Sequence, residues 1–335
     1  MDTRRVLLVD AFADEPLSGN AAGVVPDAAG LSGATMAALA RELAVSETAF
    51  VLPVGDDDPE GNGTDTDDGG GADTNDGGGA DGAEEDADRR LRYFSPTTEV
   101  DLCGHATVAA HAHLLADGAI EPGTHAVATN AGVVDVEVTD EGVVWLDGRE
   151  PTVETVDLDY ERAAEALGLD PAALRDVGAD LPAAVASTGL PFLVVPVNFL
   201  ERLGEADPDD DAIAALADDR GAAGVYAFTF DALDADSTLH ARCFAPGLGI
   251  PEDPVTGTAS GAAGAYLHAV DAFDDPADEF RFEQGHFLDR PGVVRVRVET
   301  ADGEVRAVRV GGRAVTALDG EATLPADEGD DILVA

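Results

Sequence analysis

The sequence contains no lysine. All 19 of its basic residues are arginines, against 68 acidic residues, and the formal net charge is −49. Nucleic acids and anionic membranes are bound through clustered Lys and Arg, so this composition excludes both as expected partners. The excess of acid is typical of adaptation to a salt-rich cytoplasm, because at molar ionic strength the screening length falls to about 3 Å and self-repulsion is largely cancelled. We therefore predict a protein of a high-salt cytoplasm whose fold weakens on dilution into low salt.

Cysteine and long apolar runs are also scarce. Cys103 and Cys243 are the only cysteines and neither lies in a CxxC motif, while His111 and His113 stand two apart and cannot share a helical face. These spacings predict neither a metal site nor a redox motif. No apolar run reaches the roughly 20 residues that span a bilayer. Residues 1–9 have the pattern of a short strand rather than a signal peptide, so we expect a cytoplasmic protein without a membrane partner.

Aromatic residues make up only 5% of the chain although 45% of it is hydrophobic, so the core must consist largely of Ala, Val and Leu. A length of 335 residues suits two domains. Residues 55–90 are mostly glycine and acid, which predicts a disordered or weakly ordered surface loop. The predicted division is a first domain at 1–125 that carries this insertion, a second domain at 126–320, and a C-terminal segment at 321–335 that packs back on the first.

The remaining pattern predicts short strands with a few helices. A helix over 35–44 has its larger apolar residues on one face. A second helix, over 105–118, ends at Gly118 and is small and apolar nearly all round, so we expect it to be buried within its domain. Strand-like runs occupy 5–12, 20–25, 48–54, 89–94 and parts of 126–147.

The two halves of the chain contain similar segments in the same order. In each pair, small or apolar residues recur at matching positions, and a glycine also recurs in the first and the last pair. The pairs are 18–25 with 188–195, 36–45 with 213–222, 93–96 with 243–246, and 104–114 with 257–267. Alanine-rich segments match by chance, so one pair means little, but four pairs in one order indicate an internal duplication.

Two of the matching segments place glycine at the start of a predicted helix. The first, CGHAT, contains Gly104, and the second, TGTAS, contains Gly257. Helix N-termini carry free backbone N–H groups and a partial positive charge, and glycine lets a ligand approach the backbone closely. Two such helix starts facing each other could hold a carboxylate between them. The alternative is ordinary helix capping by Thr256 or Ser260.

Glu47 stands between the helix predicted at 35–44 and an apolar strand, in the segment SETAFV. A carboxyl group beside buried strands suits a general acid or base. The alternative is an exposed loop carboxylate, one of 68 acidic residues. The duplication places Gly224 opposite Glu47, so a site between the halves would carry this group on one side only.

Asp253 and His105 flank the two helix starts. Asp253 precedes the second, between Pro251 and Pro254, and either orients a polar group of a substrate or caps the turn. His105 directly follows Gly104 and either donates a hydrogen bond to a substrate carboxylate or has a structural role. The residues alone leave both alternatives open.

The segments SGN, SET, CGHAT and EDPVTGTASG, in this order, resemble those of the PhzF-like proteins, which are named for a phenazine-biosynthesis isomerase and are related to diaminopimelate epimerase. The resemblance covers nearly the whole chain except residues 55–90. It implies an α+β fold of two pseudo-symmetric domains, each a curved mixed β-sheet wrapped around a central helix. It also implies a homodimer and an active site without a cofactor in the cleft between the domains.

By the same resemblance, the catalytic residues are Glu47 as the proton shuttle, with His105 and Asp253 positioning the substrate. The residues expected to contact a small anionic substrate are Asn20, Gly104, Gly257, Thr258 and Ala259. The family often has serine where this chain has Thr258, which keeps the hydroxyl and adds a methyl group. We therefore predict a cofactor-independent isomerase that moves a proton between carbons of a small carboxylate-bearing substrate.

Two other functions stay open at this point. Diaminopimelate epimerase uses a cysteine at each helix start, whereas this chain has Cys103 at the first and Thr256 at the second. A two-thiol mechanism is therefore not expected, but an amino-acid racemase or epimerase that uses Cys103 alone is an alternative. The other alternative is a non-catalytic protein that binds small acids.

Overall fold

The structure, a computed structural model, describes residues 2–55, 86–175, 177 and 181–324. Most of the insertion predicted at 55–90 lies outside the described residues, as does the predicted C-terminal segment from residue 325 onward. Among the helices of the described residues, none is long and apolar enough to cross a membrane.

The described residues form seven α-helices and 18 strands. The helices are α1 (Gly33–Leu43), α2 (Gly104–Ala116), α3 (Tyr160–Leu167), α4 (Ala172–Arg175), α5 (Leu200–Gly204), α6 (Asp210–Asp218) and α7 (Gly257–Ala269). The strands of the first half are β1 (Thr3–Ala11), β2 (Asn20–Val25), β3 (Thr48–Leu52), β4 (Arg89–Phe94), β5 (Glu99–Val100), β6 (Gly123–Thr129), β7 (Gly132–Val138) and β8 (Val144–Asp147). Those that follow are β9 (Thr152–Thr155), β10 (Ala184–Ser187), β11 (Pro191–Pro196), β12 (Gly224–Thr229), β13 (Leu239–Ala245), β14 (Ile250–Asp253), β15 (Phe280–Gln284), β16 (Gly292–Ala301), β17 (Glu304–Gly312) and β18 (Ala314–Thr323).

In the first half the strands wrap around α2. Strand β1 pairs antiparallel with β2, β2 parallel with β3, β3 antiparallel with β4, and β4 parallel with β6, which continues antiparallel through β7 to β8. Residues 106–114 of α2 are all buried, because small side chains let strands pack on every side of the helix. This confirms the predicted burial of the helix. Gly118 follows the helix end with a φ of +72°.

The second half repeats these pairings around α7. Strand β10 pairs antiparallel with β11, β11 parallel with β12, β12 antiparallel with β13, and β13 parallel with β15, which continues antiparallel through β16 to β17. Residues 259–267 of α7 are all buried. The predicted α+β fold of two pseudo-symmetric units, each a mixed sheet around a central helix, is confirmed.

The four pairs of similar sequence segments fall on equivalent elements of the two halves. They lie at β2 and β11, at α1 and α6, at the ends of β4 and β13, and at α2 and α7. The order of the matches in the sequence is thus the order of equivalent elements in the fold, which supports the duplication.

Among the described strands, two pairings join the halves. Strand β8 pairs with β17, and β18 pairs with β1 along all nine residues of β1. The boundary predicted after residue 125 falls within β6, and the boundary predicted after residue 320 falls within β18. The division into 1–125, 126–320 and 321–335 therefore stays a prediction, while the pairing shows that β18 lies against the first half.

The ends of α1 set the position of Glu47. The helix begins at Gly33, two residues before the predicted start, because the Ser32 hydroxyl accepts a hydrogen bond from the Thr35 backbone N–H at 3.2 Å. It ends at a left-handed residue, Ala44, whose φ is +53°. The chain then turns at once into β3, so that Glu47 stands directly before its first residue.

Candidate active site

The start of α2 presents backbone N–H groups to open space. Gly104 is the first residue of the helix, and Cys103 before it has an extended backbone. A methyl group added at Gly104 would meet no atom of the described residues within 4 Å. Because the first N–H groups of a helix have no partner inside it, this end can receive an anion.

Glu47 and His105 lie beside this helix start. Glu47 Oε2 is 3.5 Å from His105 Nε2, and Ser46 Oγ is 3.3 Å from the same nitrogen. Cys103 Sγ is 3.4 Å from His105 Nδ1. Burial lowers the pKa of His105, and the Glu47 carboxylate partly opposes this. The ring is therefore neutral at pH 7, with one N–H to donate and one nitrogen to accept.

Gly23, which no sequence pattern marks as functional, fixes the backbone at Glu47. The Gly23 N–H donates to the Glu47 carbonyl at 2.9 Å and so extends the pairing of β2 with β3. A methyl group at Gly23 would overlap the Thr48 side chain. Only glycine therefore lets β2 approach β3 closely enough to hold Glu47 at the end of the strand.

Asp253 lies at the start of α7 and is hydrogen-bonded on both oxygens. Oδ1 accepts from Asn20 Nδ2 at 2.9 Å, and Oδ2 accepts from Thr256 Oγ1 at 2.5 Å. Burial raises the pKa of Asp253 to about 6, since it outweighs these hydrogen bonds, and the Glu47 carboxylate adds to the rise. This carboxyl group can therefore hold or release a proton near neutral pH.

Gln284 completes the second helix start, although no pattern in the sequence marks it. Its amide Nε2 donates to the Asp253 carbonyl at 2.7 Å and lies 3.2 Å from Thr256 Oγ1, and its Oε1 accepts from the Thr256 N–H at 3.1 Å. The Thr256 hydroxyl donates to Asp253, and the Ser260 hydroxyl lies 3.2 Å from the Tyr226 hydroxyl. Neither hydroxyl caps α7, so the capping alternative is wrong for this helix.

Gly257 is enclosed by neighbouring side chains, whereas Gly104 has open space beside it. A methyl group at Gly257 would come 3.1 Å from the ring of Phe12 and 3.4 Å from Val310. Asn20 ties the same region together, because Nδ2 also donates to the Val255 carbonyl at 2.8 Å. The first half of the chain thus supplies one wall of the second helix start.

An arginine from the second half holds the loop that carries Asn20. Arg290 donates from Nε to the Gly19 carbonyl at 2.9 Å, and from Nη2 to the Ser18 carbonyl and to Asp10 Oδ1, both at 2.7 Å. The Asp10 side chain is only 2% exposed. Because residues 18 and 19 directly precede Asn20, this clamp positions the amide that bonds to Asp253.

The remaining predicted contacts lie in the first turn of α7. Thr258 is exposed, and its carbonyl accepts from Thr188 Oγ1 at 3.3 Å. Ala259 is fully buried, so it offers only its backbone. The structure thus brings Asn20 and Asp253 into contact, sets Glu47 beside His105, and places Thr258 at the edge of the site.

The carboxylates of Glu47 and Asp253 act on one buried thiol between them. Burial raises the pKa of Cys103 well above its ordinary value, and these two carboxylates raise it further, while the N–H groups of Ala106 and His105 oppose the rise. Both carboxylates are therefore close enough to Cys103 for their charges to act on its thiol. Burial and Asp253 also raise the pKa of Cys243. Neither cysteine is therefore a thiolate at neutral pH.

Comparison with known proteins gives the family of this chain. The model of the phenazine biosynthesis-like protein family matches residues 9–320. An uncharacterized isomerase from Clostridium acetobutylicum is 31% identical over 323 residues, which is 94% of this chain and 97% of that protein. The trans-2,3-dihydro-3-hydroxyanthranilate isomerase of Pseudomonas aeruginosa is 28% identical over 96% of this chain and 99% of its own. The chain belongs to the phenazine biosynthesis-like, or PhzF-like, family of isomerases.

Solved structures agree with this assignment. The crystal structure of a PhzF-family protein from Bacillus anthracis has a TM-score of 0.79 and 29% sequence identity, and the match covers 96% of this chain and all of that one. A hydroxyproline epimerase from Agrobacterium vitis has a TM-score of 0.51 with 15% identity over 96% of this chain and 92% of its own. That second likeness shows the fold alone, which this chain shares with the epimerase.

Proposed function

We propose that the space between the starts of α2 and α7 binds a small carboxylate-bearing substrate, and that Glu47 moves a proton between two of its carbons without a cofactor. One observation carries the proposal. A carboxylate, Glu47, stands 3.5 Å from a neutral histidine beside an open helix start, and it influences a second carboxyl group, Asp253, at the other helix start. Acid–base groups and anion-binding N–H groups are therefore present together.

In the proposed reaction the substrate carboxylate binds the N–H groups at Gly104 and its neighbours. The Glu47 carboxylate takes a proton from an activated carbon, and the electron pair of the broken C–H bond moves into the substrate. The protonated Glu47 then gives this proton to another carbon, so that the enzyme ends unchanged. His105 donates its N–H to a polar group of the substrate. Asp253, with a pKa of about 6, lends a proton to a polar group of the substrate while negative charge is present there and takes it back when Glu47 protonates the second carbon.

The named reaction of the P. aeruginosa relative supports this class of chemistry. That protein is an isomerase of a dihydro-hydroxyanthranilate, and it aligns with nearly the whole of this chain. We extend to this chain only the reaction type and the carboxylate. The homodimer is proposed from the family resemblance, and the high-salt cytoplasm from the net charge of −49.

Replacement of Glu47 by glutamine tests the proposal. We expect Glu47→Gln to reduce exchange of substrate hydrogen with solvent deuterium by about 10²–10⁴-fold, the range for loss of a general base, while binding changes little. The measurement is a screen of small carboxylic acids in D2O at high salt. The control is Glu42→Gln, an exposed carboxylate on α1. Unchanged exchange in Glu47→Gln overturns the proposal, and lost binding with an intact fold makes Glu47 a ligand contact instead.

Cys103 gives the second candidate function a specific basis, because its sulfur lies 3.4 Å from His105 Nδ1. A racemase would need this thiol to lose its proton to the ring. The raised pKa of Cys103 opposes that step. A non-catalytic binder of small acids differs from both enzymes, since it would be stabilised by ligand without any hydrogen exchange.

A further inference from the structure

Two histidines and a glutamate converge on the far side of the strand that carries Gln284. Strands β13 and β15 run parallel, and His240 is paired in register with Glu283. His286 follows in the 3₁₀ turn His286–Leu288. His240 Nε2 is 3.0 Å from His286 Nδ1, and one donor atom from each of the three side chains lies within 4.8 Å of the other two.

The separation of these atoms is close to that of ligands on one metal ion. Zinc binds imidazole nitrogen at about 2.0–2.1 Å in tetrahedral geometry, which places two nitrogen ligands about 3.3–3.4 Å apart. Two imidazoles and one carboxylate form a donor set that suits Zn²⁺ and Co²⁺. The two histidines are 46 residues apart, so no local spacing in the sequence reveals the cluster.

The carboxylate is held in place by the backbone. Glu283 Oε2 accepts from the Leu233 N–H at 2.9 Å, and Oε1 accepts from the Asp234 N–H at 2.7 Å. Glu283 is 2% exposed and His240 is fully buried. Hydrogen bonds of this kind orient metal ligands, and each carboxylate oxygen keeps a lone pair for an ion.

One side of the cluster is open. His286 is half-buried, and His286 and Glu283 line a cavity of about 870 Å³ between the loops at 12–18 and 233–235. We propose that His240, Glu283 and His286 form a divalent-metal site that takes Zn²⁺ or Co²⁺ through three protein ligands, with the fourth position filled by water from this cavity. The site is separate from the proposed active site, so its test does not depend on turnover.

Binding requires a change of tautomer at one of the two histidines, whichever donates the hydrogen bond between His240 Nε2 and His286 Nδ1. In the hydrogen-bonded pair one ring proton lies between the two histidines, and an ion would take its place. When Nε2 of His240 binds the ion, its proton sits on Nδ1, which has no hydrogen-bond partner among the described residues. We therefore expect weaker binding than at sites where this N–H is hydrogen-bonded, a difference of about 10–100-fold.

Titration with Co²⁺ in high-salt buffer tests the site, because tetrahedral Co²⁺ absorbs visible light. We expect the wild-type protein to saturate at one equivalent. His286→Gln should lose the visible bands, whereas His286→Asp, which restores a ligand of similar reach, should recover them. His125→Gln, at a partly exposed histidine outside the cluster, is the matched control and should behave as wild type. Excess Zn²⁺ should raise the melting temperature of wild type and not that of His286→Gln.

Three results would overturn the inference. The first is the absence of saturable Co²⁺ binding by the wild-type protein. The second is equal binding by wild type and His286→Gln, with circular dichroism showing both folded. The third is an ultraviolet thiolate-to-cobalt band, which would locate the ion at the other cluster of potential ligands, Glu47, Cys103 and His105.

Discussion

The starts of α2 and α7 are equivalent in the duplicated fold but differ in chemistry. At α2 the first residue is open to solvent, and the side chains around it are Glu47, Cys103 and His105. At α7 the first residue is walled by Phe12, and Asp253 is bound in a network. Both starts keep the helical N–H groups, while the side chains have diverged.

This difference shows what a duplication preserves in such a site. The backbone N–H groups come with the helix, so both copies can hold negative charge. The acid–base groups come from neighbouring segments, and these are free to differ between the copies. A substrate bound between the two starts would meet Glu47 on one side only, since Gly224 begins the equivalent strand. Variants at equivalent positions can therefore test each side separately.

The largest effect is expected at Asp253, the carboxyl group of the second helix start. Asp253→Asn keeps the size of the side chain but removes the titrating group, so we expect hydrogen exchange to fall by about 10²–10⁴-fold if Asp253 handles a proton. The measurement is the deuterium-exchange rate with any acid that wild type turns over, with the exposed Asp135→Asn as control. A loss of less than about 10-fold would reduce Asp253 to a positioning role.

The same variant should be more stable than wild type at neutral pH. The pKa of Asp253 is about 6 in the fold, against about 3.9 in an unfolded chain. A raised carboxyl pKa stabilises the fold fully below pH 4, and this contribution is lost as pH rises through 6, a change of at most about 3 kcal/mol. We expect the free energy of unfolding of Asp253→Asn to exceed that of wild type at pH 7.5 and to equal it near pH 4. Denaturant unfolding of both proteins at several pH values measures this. A constant difference across that range would contradict the raised pKa.

The clamp between the two halves should give the next largest effect. Arg290→Gln removes three hydrogen bonds that hold Asp10, Ser18 and Gly19, and so loosens Asn20. We expect turnover to fall by up to about 10²-fold, the loss that a 1 Å misplacement can cause. Stability should also fall by about 3–5 kcal/mol, because the buried Asp10 carboxylate loses its ion pair with Arg290 and keeps only the hydrogen bond from the Leu17 N–H. Denaturant unfolding and hydrogen exchange measure the two effects.

Paired variants separate these two effects of the clamp. Adding Asp10→Asn to Arg290→Gln removes the unpaired charge, so stability should recover while turnover stays low, since Ser18 and Gly19 remain unclamped. The control is Arg313→Gln, whose exposed ion pair with Asp14 is 3.5 Å long and contributes little. Recovery of turnover together with stability in the double variant would show that Arg290 acts on the fold alone.

The sequence predicts those structural features whose pattern lies within a short run of consecutive residues. The apolar run at 105–118 and its closing glycine predicted the buried helix α2 within one to two residues at each end. The segment SETAFV placed Glu47 before a strand, as the structure does. Each of these signals lies within a few consecutive residues, where periodicity and turn residues decide the structure.

Contacts between distant segments left no such signal. Asn20 and Asp253 are 233 residues apart, and their contact is explained only by the joining of the two halves. Gln284 and Arg290 reach the site because β15 and β16 pass beside α7, and each is one ordinary polar residue in its own segment. Resemblance to a family pointed to Asn20, but neither spacing nor composition could have identified Gln284 or Arg290.

A matched pair of glycine variants should give smaller and opposite effects at the two helix starts. Gly257→Ala brings a methyl group 3.1 Å from Phe12, so we expect a loss of about 1–3 kcal/mol from overpacking. Gly104→Ala has free space and a better helix former, so stability should hold or rise by up to about 1 kcal/mol. The added methyl would occupy the ligand's approach, and substrate binding should weaken. Equal changes in the unfolding free energy of both variants would contradict the difference between an open helix start at Gly104 and an enclosed one at Gly257.

The smallest effect is expected at Cys103, and it decides between the two enzymatic mechanisms. Cys103→Ser should leave hydrogen exchange nearly unchanged if Glu47 is the shuttle, because the raised pKa keeps the thiol protonated and idle. Serine is a preferred residue at the N-cap, so the variant should gain about 0.5–1 kcal/mol in unfolding free energy. A racemase that uses this thiol would instead lose almost all exchange at the substrate α-carbon. Measuring exchange and denaturant unfolding on the same samples distinguishes a lost catalytic group from a damaged fold, because the first lowers exchange while stability holds.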